Sequence, residues 1–253
     1  MQLNYFQIIM ITTTNIAVVI LHYGSIDLTR HVHDQLLSSD PDMVDNIFVL
    51  DNNAPNSYPD SWVRLSENYF WGGALDLTTK TMYDKGFKYL WFLNNDIEFL
   101  TEIPIIARAI QRFVKIEKVL GSIGIYSPSL TRSIFHPQMV CDKNFQYRKV
   151  QYIDGIAPII NLDCWFSLGN LGIDDNPIGY GVDNFFSLKA SSRGWNVIVD
   201  HQIVIKHHDH STAKSINGFL ESGMTMAGQY LRQRLGPGSR KKLQSLATIY
   251  EDY

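Results

Sequence analysis

An α/β fold, with a mostly parallel central sheet flanked by helices and a helical extension at the C-terminus, is predicted by three features of this chain. Apolar β-branched runs alternate with helix-spaced segments through about residue 120. The strand candidates are continuously hydrophobic, as strands buried on both faces are. Two of them also stop abruptly on amides and carboxylates, at Asp51-Asn52-Asn53 and at Asn94-Asn95-Asp96. A length of 253 residues suits one large domain with an appendage, and 45% hydrophobic with 19% charged residues excludes a disordered chain. The net charge of −3 and the lack of a long basic run exclude a dedicated nucleic-acid binder. Cys141 and Cys164 are the only cysteines, so free thiols in a reducing, cytoplasmic compartment are expected.

Met1 to Thr14 has no basic leader and an apolar run too short to span a bilayer, and reads as an N-terminal extension, residues 1–14. Ile16 to Leu21 is the first buried strand; Gly24 follows, then a helix carrying Ile26, Val32 and Leu36. Asn46 to Leu50 is the second strand, Trp62 to Leu65 a short third, Gly73 to Lys85 a helix stopped by Gly86, and Lys88 to Leu93 a central strand. Ile103, Ile106, Ala107, Ile110 and Phe113 share a helical face. Right-handed crossovers between these strands give a nucleotide-binding type of architecture over residues 15–120. From 121 to 213 the pattern shortens, with strands near Ile123 to Tyr126, Phe145 to Ile153, Ile156 to Asn161, Trp195 to Val199 and Ile203 to Ile205, and a helix from about Asp183 to Ser192. Residues 214–253 read as helices with six bases against three acids. Their apolar patches, Ile216 with Phe219 and Leu220, and Leu243 with Leu246, Ala247 and Tyr250, need a cover: the main domain, a second subunit, or an anionic membrane surface at the inner face.

The run Tyr89-Leu90-Trp91-Phe92-Leu93-Asn94-Asn95-Asp96 places Asn94 and Asp96 at a strand's carboxyl end, where open sheets hold their ligands. A carboxylate there, with an amide two residues before it, can hold a divalent cation whose other positions go to phosphate and water; the same residues also commonly begin a turn. His201, His207, His208, Asp209 and His210 raise the alternative of a zinc site. In an extended segment, however, His207 and His208 point to opposite faces.

Taken in order, Val18-Val19-Ile20-Leu21-His22-Tyr23-Gly24, Val49-Leu50-Asp51-Asn52-Asn53, Glu67-Asn68-Tyr69-Phe70-Trp71-Gly72-Gly73-Ala74, Leu93-Asn94-Asn95-Asp96-Ile97, Gly179-Tyr180-Gly181-Val182-Asp183 and Ile205-Lys206-His207 resemble glycosyltransferase family 2. These are inverting, nucleotide-sugar-dependent enzymes of GT-A fold, and the likeness is greatest to the rhamnosyltransferase-like branch of bacterial polysaccharide biosynthesis. The resemblance implies a UDP- or dTDP-sugar donor, a glycan or lipid-linked glycan acceptor, and Mn or Mg as cofactor. It implies that Tyr23, Asp51 and Asn53 serve the nucleoside, and that Asn68, Trp71, Gly72, Gly73, Asn94 and Asn95 contact the rest of the donor. By the same likeness Asp96 and His207 hold the cation, Asp183 is the catalytic base, and Gly155 and Trp165, with Phe166 beside it, form the acceptor pocket. Simpler roles stay open for several of these: a turn-stabilising Asx for Asp51, a helix-entry turn for the two glycines, a helix cap for Asp183. Asn94 stands where many relatives carry Asp, and Val182 where they often carry a second acid. A sugar nucleotidyltransferase and a non-catalytic sugar-nucleotide or glycan-binding module are the competing functions; the first needs a Gly-rich, basic triphosphate loop, which Gly24-Ser25-Ile26-Asp27 is not.

Overall fold

Ile16–His22 forms β1, buried along its whole length and central to the parallel part of the sheet. The computed structural model describes residues 11–208 and 217–253. Most of the expected N-terminal extension, together with Asp209, His210, Lys214 and Ile216, lies outside the described residues; Ile11 already belongs to the core. β2 (Ile47–Asp51), β3 (Val63–Arg64) and β4 (Tyr89–Asn94) complete a parallel set in the order β4-β1-β2-β3. Its registers set His22 opposite Asp51 and Leu21 opposite Asn94, so the carboxyl ends of all these strands open onto one edge. The chain reverses its direction of winding at β1, which leaves a crevice there, the usual ligand position of an open α/β sheet.

α1 (Ile26–Ser39) is capped by Ser25, whose hydroxyl accepts the Leu28 N–H, and α2 (Phe70–Asp84) connects β3 to β4. β5 (Ile97–Phe99) follows β4 directly, and α3 (Ile105–Leu120) buries Ile106, Ile110 and Phe113 of the expected face, with Ala109 and Ile116 beside them; Ile103 precedes the helix and is exposed, and Ala107 is only half-buried. β6 (Ile123–Leu130), β7 (Tyr147–Val150) and β8 (Ile159–Asn161) continue the sheet. After α4 (Leu162–Ser167) and α5 (Val182–Ser192) comes β9 (Asn196–His207). The two strands expected at 195–199 and 203–205 are this single strand, whose pairing with β6 is interrupted by a register shift at Pro128/Ser129. β8 lies antiparallel between β4 and β6, whereas β9 is parallel to β6. Strands β1 to β4 are thus mutually parallel and the rest of the sheet is mixed.

The C-terminal segment forms α6 (Phe219–Leu235), α7 (Ser239–Leu246) and a strand, β10 (Tyr250–Asp252), which pairs antiparallel with β7. Tyr250 therefore sits in the sheet and not on the helical patch expected for it. The second of the two expected patches is covered by the main domain of the same chain, whereas Phe219 and Leu220 of the first are only half-buried. Leu243 and Ala247 are buried beside Tyr152, whose hydroxyl donates to the Leu243 carbonyl at 3.0 Å. The Tyr230 hydroxyl donates to Leu171 C=O at 2.6 Å, and Arg234 pairs with Asp175 at 2.6 Å. Arg148 grips Asp252 through Nε and Nη2, at 2.6 and 3.0 Å, and lies over the Tyr250 ring. No described helix is long and apolar enough to cross a membrane.

Candidate active site

A cavity of about 390 Å³ opens at the carboxyl edge of β1 and β4. It is lined by Tyr23, Asn68, Trp71, Asn94, Asn95, Asp96, Gly155, Asp183 and His207, all expected at the site, together with residues whose place was not foreseen: Asn52, Phe70, Asp154, Tyr180 and Phe219. That size is within the range of a small-molecule site.

β4 ends at Asn94 and the chain turns directly into β5, whose Ile97 pairs with His207 on β9. This antiparallel pairing carries a histidine from the far end of the sequence to Asp96, with His207 Nε2 3.3 Å from Asp96 Oδ1. The backbones lock the pair, His208 N–H donating to Asp96 C=O at 2.8 Å. A carboxylate oxygen and an imidazole nitrogen about 3 Å apart match two neighbouring ligands of one Mg or Mn ion, whose bonds run to about 2.0–2.2 Å at right angles. Among the described residues no cluster of three or more His, Cys, Asp or Glu could hold a metal. Asp96 and His207 alone would leave the other positions of such an ion to oxygens from outside the protein, as a diphosphate and water could supply. Of the residues in the zinc alternative, Asp209 and His210 lie outside the described residues; His201 lies buried with Nδ1 accepting the Asp142 N–H, and His208 faces Glu98 at 3.9 Å.

Trp71 and Asn95 brace the strand end. The indole N–H of Trp71 donates to Asn94 Oδ1 at 3.1 Å, and the Asn95 amide donates to Thr29 Oγ1 and Tyr23 C=O. On the other side of β4, Asn94 N–H donates to Ile156 C=O, so the segment entering β8 runs alongside and presents Asp154 and Gly155 to the cavity. Asp183, the second residue of α5, accepts from Gly155 N–H at 2.7 Å through Oδ2 and from Asn184 N–H at 2.8 Å through Oδ1. Burial, reinforced by the nearby Asp154 carboxylate, pushes Asp183 up to about 8 against the pull of these two N–H groups. Tyr180 is pushed up to about 12, by burial first and then by Asp154, Asp96 and Asp183, so the phenol lies within the field of all three carboxylates. His136 stands behind Asp154 at 3.6 Å.

Five of the expected site residues do not line the cavity. Asp51 does not line the cavity: its fully buried carboxylate accepts from Ala54 N–H, Tyr58 N–H and Arg64 Nη1, and it holds the loop after β2 in place. Asn53 points its carbonyl to Arg64, also away from the cavity. Gly72 and Gly73 do permit a close approach, but to the chain itself. Both N–H groups donate to Pro177 C=O, and a Cβ on Gly72 would sit 2.9 Å from that oxygen and 3.0 Å from Gly179 Cα. Trp165 lies at the opposite end of β4. β8 runs antiparallel, with Asn161 opposite Tyr89, and so delivers α4 to the strand's amino end, where Trp165 packs on Phe186. Only the antiparallel direction of β8 could have revealed this. Asp154 had a weak sequence signal, an acid beside a glycine.

No family model matches the chain. The uncharacterized proteins Rv1525 of Mycobacterium tuberculosis (strain ATCC 25618 / H37Rv) and Mb1552 of Mycobacterium bovis (strain ATCC BAA-935 / AF2122/97) are 22% identical to it over 159 residues, 59% of this chain and 58% of theirs. The match thus takes in little more than half the length of these curated relatives. Among solved structures, GalNAc-T7 with UDP, GalNAc and Mn2+ superposes with a TM-score of 0.59 at 15% identity, covering 92% of this chain and 51% of that one. Glucosyl-3-phosphoglycerate synthase from Mycobacterium tuberculosis, with Mg2+ and UDP, gives 0.58 at 16% identity over 88% of this chain and 79% of its own. The same synthase with Mn2+, UDP and phosphoglyceric acid gives 0.59 at 15% identity, with 88% and 78% covered. The chain therefore has the GT-A fold of these glycosyltransferases.

Proposed function

We propose that the protein is an inverting glycosyltransferase that moves a hexose or deoxyhexose from a UDP- or dTDP-sugar to a hydroxyl of a glycan or lipid-linked glycan. One observation carries this reading: the Asp96–His207 pair and the carboxylate of Asp183 line the same cavity at the carboxyl edge of the parallel strands. The neighbours with this fold were solved with UDP and Mn2+ or Mg2+, which supports a uridine nucleotide and a divalent cation here. Asp51, which the resemblance assigns to the nucleoside, is occupied within its own loop, so support for a uridine nucleotide comes from those neighbours.

Asp96 and His207 would hold the cation, which neutralises the charge that the nucleoside diphosphate gains as it leaves. Asp183 takes the proton of the acceptor hydroxyl while that oxygen bonds to the anomeric carbon and the bond to the diphosphate breaks. Attack from the face opposite the leaving group inverts the anomeric centre, and no covalent sugar–enzyme intermediate forms. A carboxylate that is half-buried and whose affinity for a proton is raised suits a base poised near neutral pH. The Gly155 N–H holds it in place; a side chain on Gly155 would overlap the Trp71 ring and crowd Asp183.

Asp183→Asn tests the role. Loss of a positioned base costs about 10² to 10⁴ in rate, so transfer should fall by that factor while UDP affinity survives. Turnover equal to that of the wild type would remove Asp183 from the mechanism.

A further inference from the structure

The aromatic surface expected of an acceptor pocket is not at Trp165, but the cavity has one elsewhere. Phe70, Tyr180 and Phe219 line it, from α2, from the turn before α5, and from the start of α6. We propose that these three rings form the acceptor subsite, shaped for the apolar face of a pyranose ring, and that the C-terminal helix α6 builds it. This assignment rests on the glycosyl-transfer reading above.

Phe70 is held in the left-handed region at φ 53°, a conformation uncommon for a bulky residue and found where a site fixes it. Two amides impose it: Asn68 Oδ1 accepts Phe70 N–H at 2.7 Å, and Asn52 Nδ2 donates to both Asn68 Oδ1 and Phe70 C=O. The result aims the Phe70 ring at Phe219, with centroids 6.0 Å apart and planes within 20°. Phe219 is in turn 6.4 Å from Tyr180. One turn further along α6, Gly223 lies against Tyr180, and a Cβ there would overlap the phenol ring. The same helix face thus supplies one ring and leaves room for another. Asp154 and Asp183 line the same cavity as this carbon surface.

A pyranose has the matching chemistry, a face of C–H groups for the rings and a rim of hydroxyls for the carboxylates. An isoprenoid or acyl chain could use the rings but would leave two carboxylates facing hydrocarbon, at a cost in desolvation. The saccharide is therefore the favoured occupant.

Saturation-transfer NMR tests this, with a panel of methyl glycosides of common hexoses and 6-deoxyhexoses added to the full chain in the presence of UDP and Mn. At least one glycoside should bind, with saturation strongest on its ring C–H protons. Phe219→Ala and the bulk-preserving Phe219→Leu should weaken it about 3- to 10-fold, with UDP affinity changed less than twofold and an unchanged circular dichroism spectrum. Glycoside affinity unaltered in both variants would overturn the assignment. So would a wild type that binds UDP and Mn but none of the panel. Failure to bind UDP and Mn at all would instead overturn the transferase reading itself.

Discussion

Asp154→Asn removes a like charge from beside the proposed base, and the structure fixes the direction of the effect. Burial and the Asp154 carboxylate together raise Asp183 to about 8, so below that pH the base is mostly protonated in the free protein. Since kcat/KM for the acceptor tracks the ionised fraction, it should rise about tenfold per pH unit on the acid side and level off near pH 8. At pH 6 the wild type should then run roughly 100-fold below its plateau. With the neighbouring charge gone, burial remains and the profile moves to lower pH, so the variant gains activity at pH 6. The assay is UDP release from a UDP-sugar at subsaturating glycoside acceptor and fixed Mn, across about pH 5.5 to 9. A flat wild-type profile, or one that Asp154→Asn leaves superimposable, would refute the coupling. Stability supplies a second reading with an opposite sign to the usual carboxylate. Because the folded value lies above the unfolded one, the native state binds the extra proton between about pH 4 and 8, and stability is lost as pH rises through that window. Asp183→Asn should flatten that decline in chemical denaturation.

Gly72→Ala should lower stability by about 1–3 kcal/mol, because its Cβ meets backbone atoms of Pro177 and Gly179 that cannot turn aside; an unchanged urea midpoint would show that the loop yields. Asp252→Ala should cost about 3 kcal/mol by leaving Arg148, 5% exposed, without its bidentate partner, and should free β10 to faster amide exchange; protection equal to the wild type would mean that the strand is held by other contacts.

Much of the first half of the chain was legible because its information is local. Ile16–His22, Ile47–Asp51 and Tyr89–Asn94 are largely continuous apolar runs, and α3 carries Ile106, Ile110 and Phe113 of its buried face in its spacing. The position of Asp96 came from the strand end alone. The illegible part depends on strand direction and on partners distant in sequence. The period of Ile156 to Asn161 is the same in either direction, yet the antiparallel pairing of β8 with β4 brings Gly155 to the cavity and sends Trp165 away from it. Phe219 read as an apolar helix residue because nothing in its neighbourhood says that Phe70 lies opposite. Tyr250 and Asp252 form a strand only because Arg148 and the edge of β7 are there to receive them. For Asp51, residue type suggested a ligand, while the donors that satisfy it come from two places in the following loop and from Arg64 on β3.

Isothermal titration of UDP, with and without Mn, into the wild type and Asp96→Ala addresses the site most directly. With the cation shared between the nucleotide and the Asp96–His207 pair, UDP should bind at least about tenfold more tightly when Mn is present, and Asp96→Ala should erase that gain while leaving the weaker, metal-free affinity intact. Equal UDP affinity with and without Mn in the wild type would contradict a diphosphate held at this pair.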